Sequence, residues 1–247
     1  MSRLLLHAAL AASLFVSTLP SAHAALESRF GGLAYYDTVL DITWLADANA
    51  AAGSVFDNGF DTQDGRLTWA SALAWAENLV VEGTDGWRLP SNRPINGSIY
   101  DINFSNNGTT DAGGAAGAGW VDHMGLPASE MGHLFYVTLG GLYFCTPNGG
   151  GSSTSCNEQP GWGLPSTGPF ENIQTFAYWS DKELAADANS AWIFAFSNGA
   201  RIGNEVSFPL HAWAVHDGDV GAIVPLPGGI WLLAGGVVAM LRTHRRA

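Results

Sequence analysis

Positive charge is scarce in this 247-residue chain: ten Lys and Arg residues stand against 22 Asp and Glu, and only Lys182 is a lysine. Arg3, Arg242, Arg245 and Arg246 lie in the terminal segments, so the body keeps Arg29, Arg66, Arg88, Arg93, Lys182 and Arg201, for a formal charge of −16. Such a surface repels phosphate backbones, which argues against nucleic acid and favours multivalent cations or neutral sugars as partners. Cysteine is scarcer still, at two residues. Cys145 and Cys156 enclose a Gly- and Ser-rich loop. In an oxidising compartment they are expected to pair, contributing about 3 kcal/mol in the chain-entropy model; two free thiols are the alternative. No further ligands at regular spacing accompany them, as a metal site requires. G-x-S-x-G, H-E-x-x-H and phosphate-cradling loops are missing too, so an enzyme has little to rest on, and glycosidase carboxylates need geometry to be assigned.

What is present begins with an address at each end. Met1 to Ala24 has an early Arg3, an apolar run from Leu4 to Leu19, and a small-residue site at Ala22-His23-Ala24. This predicts a secretory signal peptide over residues 1–24. At the other end, Val224-Pro225-Leu226-Pro227 is followed by an uncharged stretch from Gly228 to Leu241 and then by Arg242, His244, Arg245 and Arg246. As a helix that stretch spans about 21 Å, short of a hydrocarbon core of about 30 Å. Motif, apolar segment and basic end resemble the tripartite sorting signals of the PEP-CTERM class, in the variant that begins VPLP. The resemblance implies transient membrane insertion through residues 224–247 and processing by an exosortase-type protease. It also implies export across the inner membrane of a Gram-negative bacterium to a cell surface rich in exopolysaccharide.

Between these ends lie residues 25–223, enough for one well-buried domain. Ten tryptophans argue against disorder, and 31 glycines imply many loops. Leu33 to Val39 reads as a first strand, with Asp41 to Leu45 beside it. Asp47 to Gly53 reads as one or two helical turns ended by glycine. Thr68 to Val81 is the best helix, with Thr68 as cap and Trp69, Ala72, Leu73, Ala76 and Leu79 on one face. Residues 91–121 form a long connection without periodicity, functional or inserted. A second helix is expected over Ser129 to Leu139. Thr175 to Ser180, Ala191 to Ser197 and Leu210 to His216 read as strands, with Asn198-Gly199 as a hairpin turn. The order gives an α+β fold of two helices, antiparallel strands and long Gly-rich loops.

Three constellations invite a functional reading. Asp57, Asp61 and Asp64 suggest calcium, but an EF-hand loop counted from Asp57 would have Thr62 in place of its glycine and Thr68 in place of its glutamate, which leaves an irregular calcium site or a solvated acidic turn. Glu130 and His133 sit one turn apart, a pair that ligates metal only with further acids. Asp85-Gly86-Trp87-Arg88-Leu89-Pro90 joins a turn, an indole, a cation and a chain stop. Arg88 there is expected to tie loops together by pairing with carboxylates or backbone carbonyls, ahead of a direct ligand contact.

These residues fall into a family pattern. Asp41-Ile42-Thr43-Trp44-Leu45, Thr68-Trp69, Trp87-Arg88-Leu89-Pro90, Tyr178-Trp179-Ser180, Ala191-Trp192, Phe196-Ser197-Asn198-Gly199 and Ala212-Trp213-Ala214-Val215 occur in order. Together they resemble the Lcl C-terminal domain family, over about residues 31–219. The resemblance implies a C-type-lectin-like fold in which N- and C-terminal strands meet, with Leu33 to Val39 beside Leu210 to His216. This chain has His216 where many relatives carry Arg. The calcium-dependent lectin motifs are missing, since only Gln159-Pro160-Gly161 is present. The expected function is therefore a non-catalytic binding module for extracellular polysaccharide, in which Trp120 and Trp162 on Gly-rich loops stack on sugar rings or pack their own loops. The alternatives are a structural matrix component without a ligand and a carbohydrate-active enzyme.

Overall fold

A computed structural model describes residues 25–115, 117, 119–146, 156–185 and 187–222. The expected signal peptide and the sorting motif Val224 to Pro227 lie outside the described residues. In chain order the strands are β1 (Leu26–Arg29), β2 (Ala34–Asp37), β3 (Ile42–Leu45), β4 (Arg66–Leu67), β5 (Trp87–Arg88), β6 (Phe104–Ser105) and β7 (Ala112–Gly113). They continue as β8 (Cys145–Thr146), β9 (Asn157–Glu158), β10 (Ala177–Leu184), β11 (Asp187–Ala195), β12 (Ala200–Glu205), β13 (Leu210–His211) and β14 (Val215–Asp217). The helices are α1 (Trp69–Glu77) and α2 (Glu130–His133), the latter running on into one wide turn over Leu134–Thr138.

Two sheets organise the chain, in the orders β1-β2-β3-β14-β5 and β4-β13-β10-β11-β12-β7-β6; β8 and β9 form a separate pair. The first sheet is antiparallel throughout. The second mixes antiparallel pairs with parallel contacts of β10 to β13 and β6 to β7. Strands from the two ends of the domain do meet, but β14 lies against β3 and β5, with β2 one strand further out. The single strand expected over Leu210 to His216 is in fact two short strands, one in each sheet. Leu210 to Val215 are all buried, because a segment crossing between sheets is covered on both sides and shows no alternation.

Local chemistry accounts for the other elements. In α1, Ala72, Trp75 and Ala76 are buried, while the Thr68 hydroxyl bonds Ser71 Oγ instead of capping a backbone amide. Ser129 does cap α2, its Oγ accepting from Gly132 N at 3.1 Å. Residues 48–53 are consecutive turns rather than helix, after an isolated bridge of Asp47 to Glu171. The hairpin between β11 and β12 closes from Ala195 to Ala200 across Asn198-Gly199, with Gly199 at φ +80°.

Aromatic rings fill the space between the sheets. Trp44 meets Trp213 at 5.1 Å, Trp213 meets Phe196 at 5.8 Å, and Phe196 meets Phe194 at 5.1 Å, mostly edge to face. Several buried indoles reach backbone acceptors, Trp213 Nε1 donating to Leu45 O and Trp179 Nε1 to Leu67 O, each at 2.8 Å, whereas Trp44 Nε1 and Trp192 Nε1 have no partner among the described residues.

The long connection expected over residues 91–121 is held from inside. Arg201 on β12 and Asp111 are both fully buried and pair at 2.6 Å. Arg201 Nε also donates to Asp111 O and Nη1 to Ala128 O, while its plane lies 4.7 Å from the Trp120 ring and 5.4 Å from Trp192. The Asp111 carboxylate in turn accepts from the amides of Ile95 and Asp101. Burial pushes the Arg201 pKa down to about 10, with Asp111 opposing. The connection closes as β7 beside β6, where a Cβ on Gly113 would lie 1.9 Å from Ser105 O. Arg201→Ala is expected to cost about 3–5 kcal/mol in urea denaturation, because Asp111 is left charged and buried. The double variant Arg201→Met with Asp111→Asn should recover part of that loss.

Candidate functional site

A cavity of about 500 Å³ opens where the first sheet meets α2. One part of its wall is the turn after β2. Asp37 shapes that turn, its Oδ1 accepting from the amides of Val39 at 2.9 Å and Leu40 at 3.1 Å. Another part is the segment ending in Leu126, Pro127 and Ala128, just before the Ser129 cap. The polar floor is Arg88 on β5, Glu130 at the start of α2 and Asp217 on β14. Register places them together, since Val215 pairs with both Trp44 and Arg88.

Arg88 is the knot of this floor. Nη1 and Nη2 form a fork to Glu130 Oε2 and Oε1 at 2.9 and 2.8 Å. Nε and Nη2 both reach Asp217 Oδ1, at 2.9 and 2.5 Å, and Nη1 donates to Leu89 O at 3.0 Å. All five N–H groups of the guanidinium are thereby engaged. Burial pushes its pKa down, but the bonds to Glu130 and Asp217 outweigh it and the group is held well above its ordinary value. Glu130 Oε2 also accepts from Ser91 N at 2.7 Å, so one carboxylate fastens the chain that follows Pro90. Arg88 thus pairs with carboxylates and a carbonyl, as a tie would. Trp87 and Leu89 are buried on either side, and Pro90 O accepts from Asp181 N. His216 packs edge-on against Trp87 at 5.7 Å.

Trp120 does not stand ready for a ligand. It is 1% exposed, donates from Nε1 to Thr110 O and carries the Arg201 plane on its face. Of the two roles expected for Trp120, stacking on a sugar ring is corrected and packing within the loop region is what is found: a buried guanidinium needed an aromatic wall, and Trp120 supplies it. Trp162 is different. It is 39% exposed, lies 4.9 Å from Phe144 and donates to Glu158 Oε1 at 2.7 Å beside the Cys145–Cys156 disulfide.

The aspartates 57, 61 and 64 are turned onto their own backbone. Asp57 Oδ2 accepts from Gly53 N and Gly65 N, Asp61 Oδ1 from Gln63 N, and Asp64 Oδ1 from Arg66 N. Among the described residues no three His, Cys, Asp or Glu side chains come together as a metal site. Glu130 and His133 likewise do not converge on one point. Glu130 is held by Arg88, while His133 is buried near Asp37, and neither its Nε2 nor Asp37 Oδ2 has a hydrogen-bond partner among the described residues. Asp217 and Asp111 had no signal in the sequence, since any of 22 carboxylates could have met an arginine.

Arg88→Ala is expected to lower stability by about 2 kcal/mol in thermal or urea denaturation, because a partly buried Glu130 loses its fork. Arg88→Lys should recover only part, lacking the planar pair of donors. A second expectation concerns pH. Burial, with help from Arg66, pushes His211 down to about 4, against the opposing pull of Asp64, Gly65 and Asp57. The folded state keeps the ring neutral while the unfolded chain takes up a proton near pH 6.5. Stability is therefore full above that value and lost progressively as pH falls toward 4. His133, also pushed down by burial, acts in the same direction. Melting temperatures between pH 7.5 and 5 should decline, with a shallower slope in His211→Gln.

No helix among the described residues is long and apolar enough to cross a membrane. No curated protein and no solved structure matches the chain. The family model described as the Lcl C-terminal domain matches residues 34–216, from the first residue of β2 into β14, and so takes in Arg88, Arg201 and most of the cavity lining, with Asp217 and Gly218 just beyond it. The chain belongs to the Lcl C-terminal domain family.

Proposed function

We propose that this protein is exported and acts at the cell surface or outside the cell as a non-catalytic binding module for extracellular polysaccharide, with the cavity beside Arg88 as its site. The cavity carries the reading. At about 500 Å³ it lies within the range of about 300–1,000 Å³ usual for ligand sites. Its lining mixes apolar side chains with convergent polar groups, which suits a ring that has C–H faces and hydroxyl edges. The Cys145–Cys156 disulfide fits an oxidising compartment, and the net charge of the body disfavours phosphate-rich partners. Export through residues 1–24 and exosortase processing at Val224-Pro225-Leu226-Pro227 complete the proposal on sequence grounds. Trp162, exposed near the disulfide, is available as a second, separate contact.

The test uses a position that lines the cavity yet is 47% exposed, Leu126. On a column of polysaccharide from the native matrix, Leu126→Trp should lose retention about fivefold or more at an unchanged melting temperature. Equal retention would take the cavity out of the function. Failure of the parent protein to bind favours a structural matrix component, and turnover of the polysaccharide overturns the non-catalytic assignment. Intact mass of the surface form should lack the leader and the Arg-rich tail.

A further inference from the structure

Arg66 stands apart from the other cations of the body. Arg29, Arg88, Arg93, Lys182 and Arg201 each meet a carboxylate. Arg66, on β4 at the edge of the second sheet, meets none among the described residues, and none of its five side-chain N–H groups finds an acceptor there. Aromatic rings hold it instead. The guanidinium carbon lies 5.6 Å from the ring centres of both Phe60 and Phe176, and Phe208 meets Phe60 edge to face at 5.7 Å. All three rings are exposed, Phe60 most of all at 66%. They are also fixed in place. Asn58 Oδ1 accepts from Thr68 N and its Nδ2 donates to Ser71 Oγ, both at 3.0 Å, which fastens the loop carrying Phe60 to the start of α1. Gly59 packs so closely on β4 that a Cβ there would lie 2.6 Å from Arg66 O. Phe176 O accepts from Phe196 N at 2.8 Å, and Phe208 N donates to Glu205 O at 3.0 Å.

Exposed rings on a fixed frame around an unspent donor group call for a ligand with an apolar face and acceptor oxygens. An anion would answer Arg66, but it would also meet Asp61 and Asp64 on the loop of Phe60 and Glu205 in the turn before Phe208, within a strongly negative body. A neutral pyranose with equatorial hydroxyls avoids that repulsion. Its C–H face is bare and can lie on a phenyl ring, while two neighbouring hydroxyl oxygens match the paired terminal nitrogens of a guanidinium. Phe60 and Phe208 stand 73° apart, so one serves as floor and the other as side wall for a single sugar unit. We propose that this patch is a second sugar-binding site, which takes a neutral, equatorially substituted pyranose unit of a polysaccharide on Phe60, with its hydroxyls bonded to Arg66. It shares no residue with the cavity beside Arg88 and does not depend on that cavity being a binding site.

The purified protein is titrated calorimetrically, at 150 mM salt, with cellohexaose and with the same backbone oxidised at C6, the hexamer of glucuronic acid. Cellohexaose should bind, and the uronide about threefold or more weaker. Phe60→Ala removes an exposed ring, so it should hold the melting temperature while weakening cellohexaose binding about threefold or more. Arg66→Gln should weaken it by a similar factor of about three; if that variant fails to fold, Phe60→Ala decides. Leu126→Trp, which obstructs the cavity, should leave cellohexaose binding unchanged. Silence toward cellohexaose, uronide binding as tight or tighter, or binding that survives Phe60→Ala or a folded Arg66→Gln each overturns the proposal. Loss of binding in Leu126→Trp also overturns it, because the sugar then sits in the cavity, and the proposed module stands without a second site. Sedimentation velocity should show no self-association that Phe60→Ala abolishes; such an association would assign the patch to a second copy of the chain and overturn the proposal.

Discussion

The buried pair of Arg201 and Asp111 is the constraint on which the loop region depends. A guanidinium taken fully out of water is costly unless its hydrogen bonds are met and a counter-charge lies beside it. Here one carboxylate, two carbonyls and two indole faces meet that requirement. Every one of those partners except Trp192 comes from the connection before α2. That connection has almost no repeating secondary structure, with only two-residue strands at Phe104–Ser105 and Ala112–Gly113. Its order derives from converging on a charge rather than from a ladder. The same convergence delivers Leu126 to Ala128 to the cavity wall, since Ala128 O is an acceptor for both Arg201 and Arg93 N.

The scarcity of cations gives the arrangement its logic. Arg29 joins β1 to Asp219 and Glu27, Arg88 joins β5 to α2 and β14, and Arg201 joins β12 to the long connection. Each links segments far apart in sequence. With so few positive groups among so many carboxylates, an arginine has many possible mates, and packing rather than charge decides which it finds. Buried neighbours do that selection: Trp87 and Leu89 fix the exit of Arg88, and Trp120 and Trp192 fix the plane of Arg201.

Elements that announce themselves over one or two turns of chain could be read directly. The apolar spacing of α1, the Ser129 cap of α2 and the Asn198-Gly199 reversal all act within about ten residues, and so does the cysteine pair at a separation of 11. The α+β arrangement follows from their order. What stayed hidden acts over long separations. Arg201 and Asp111 are 90 residues apart and Arg88 and Asp217 are 129 apart. Strands of two residues carry no period at all, which is why β4, β6 and β7 left no trace. Trp120 looked exposed because glycines surround it, yet glycine flanks a buried indole equally well where backbone must come close. Gly132 shows this, since a Cβ there would lie 2.9 Å from the Trp120 ring.

The first sheet also settles where the chain enters and leaves the domain. Arg29 Nη2 donates to Asp219 Oδ2 at 2.9 Å, and Phe30 N donates to Gly221 O at 3.3 Å. The two ends of the described body are thus fastened side by side. Tension applied between those ends would fall on this junction first, opening its bonds one after another from the rim, while the tryptophan-filled interior and the cavity felt none of the load until it gave way. The junction of the two ends and the cavity are thus mechanically separate.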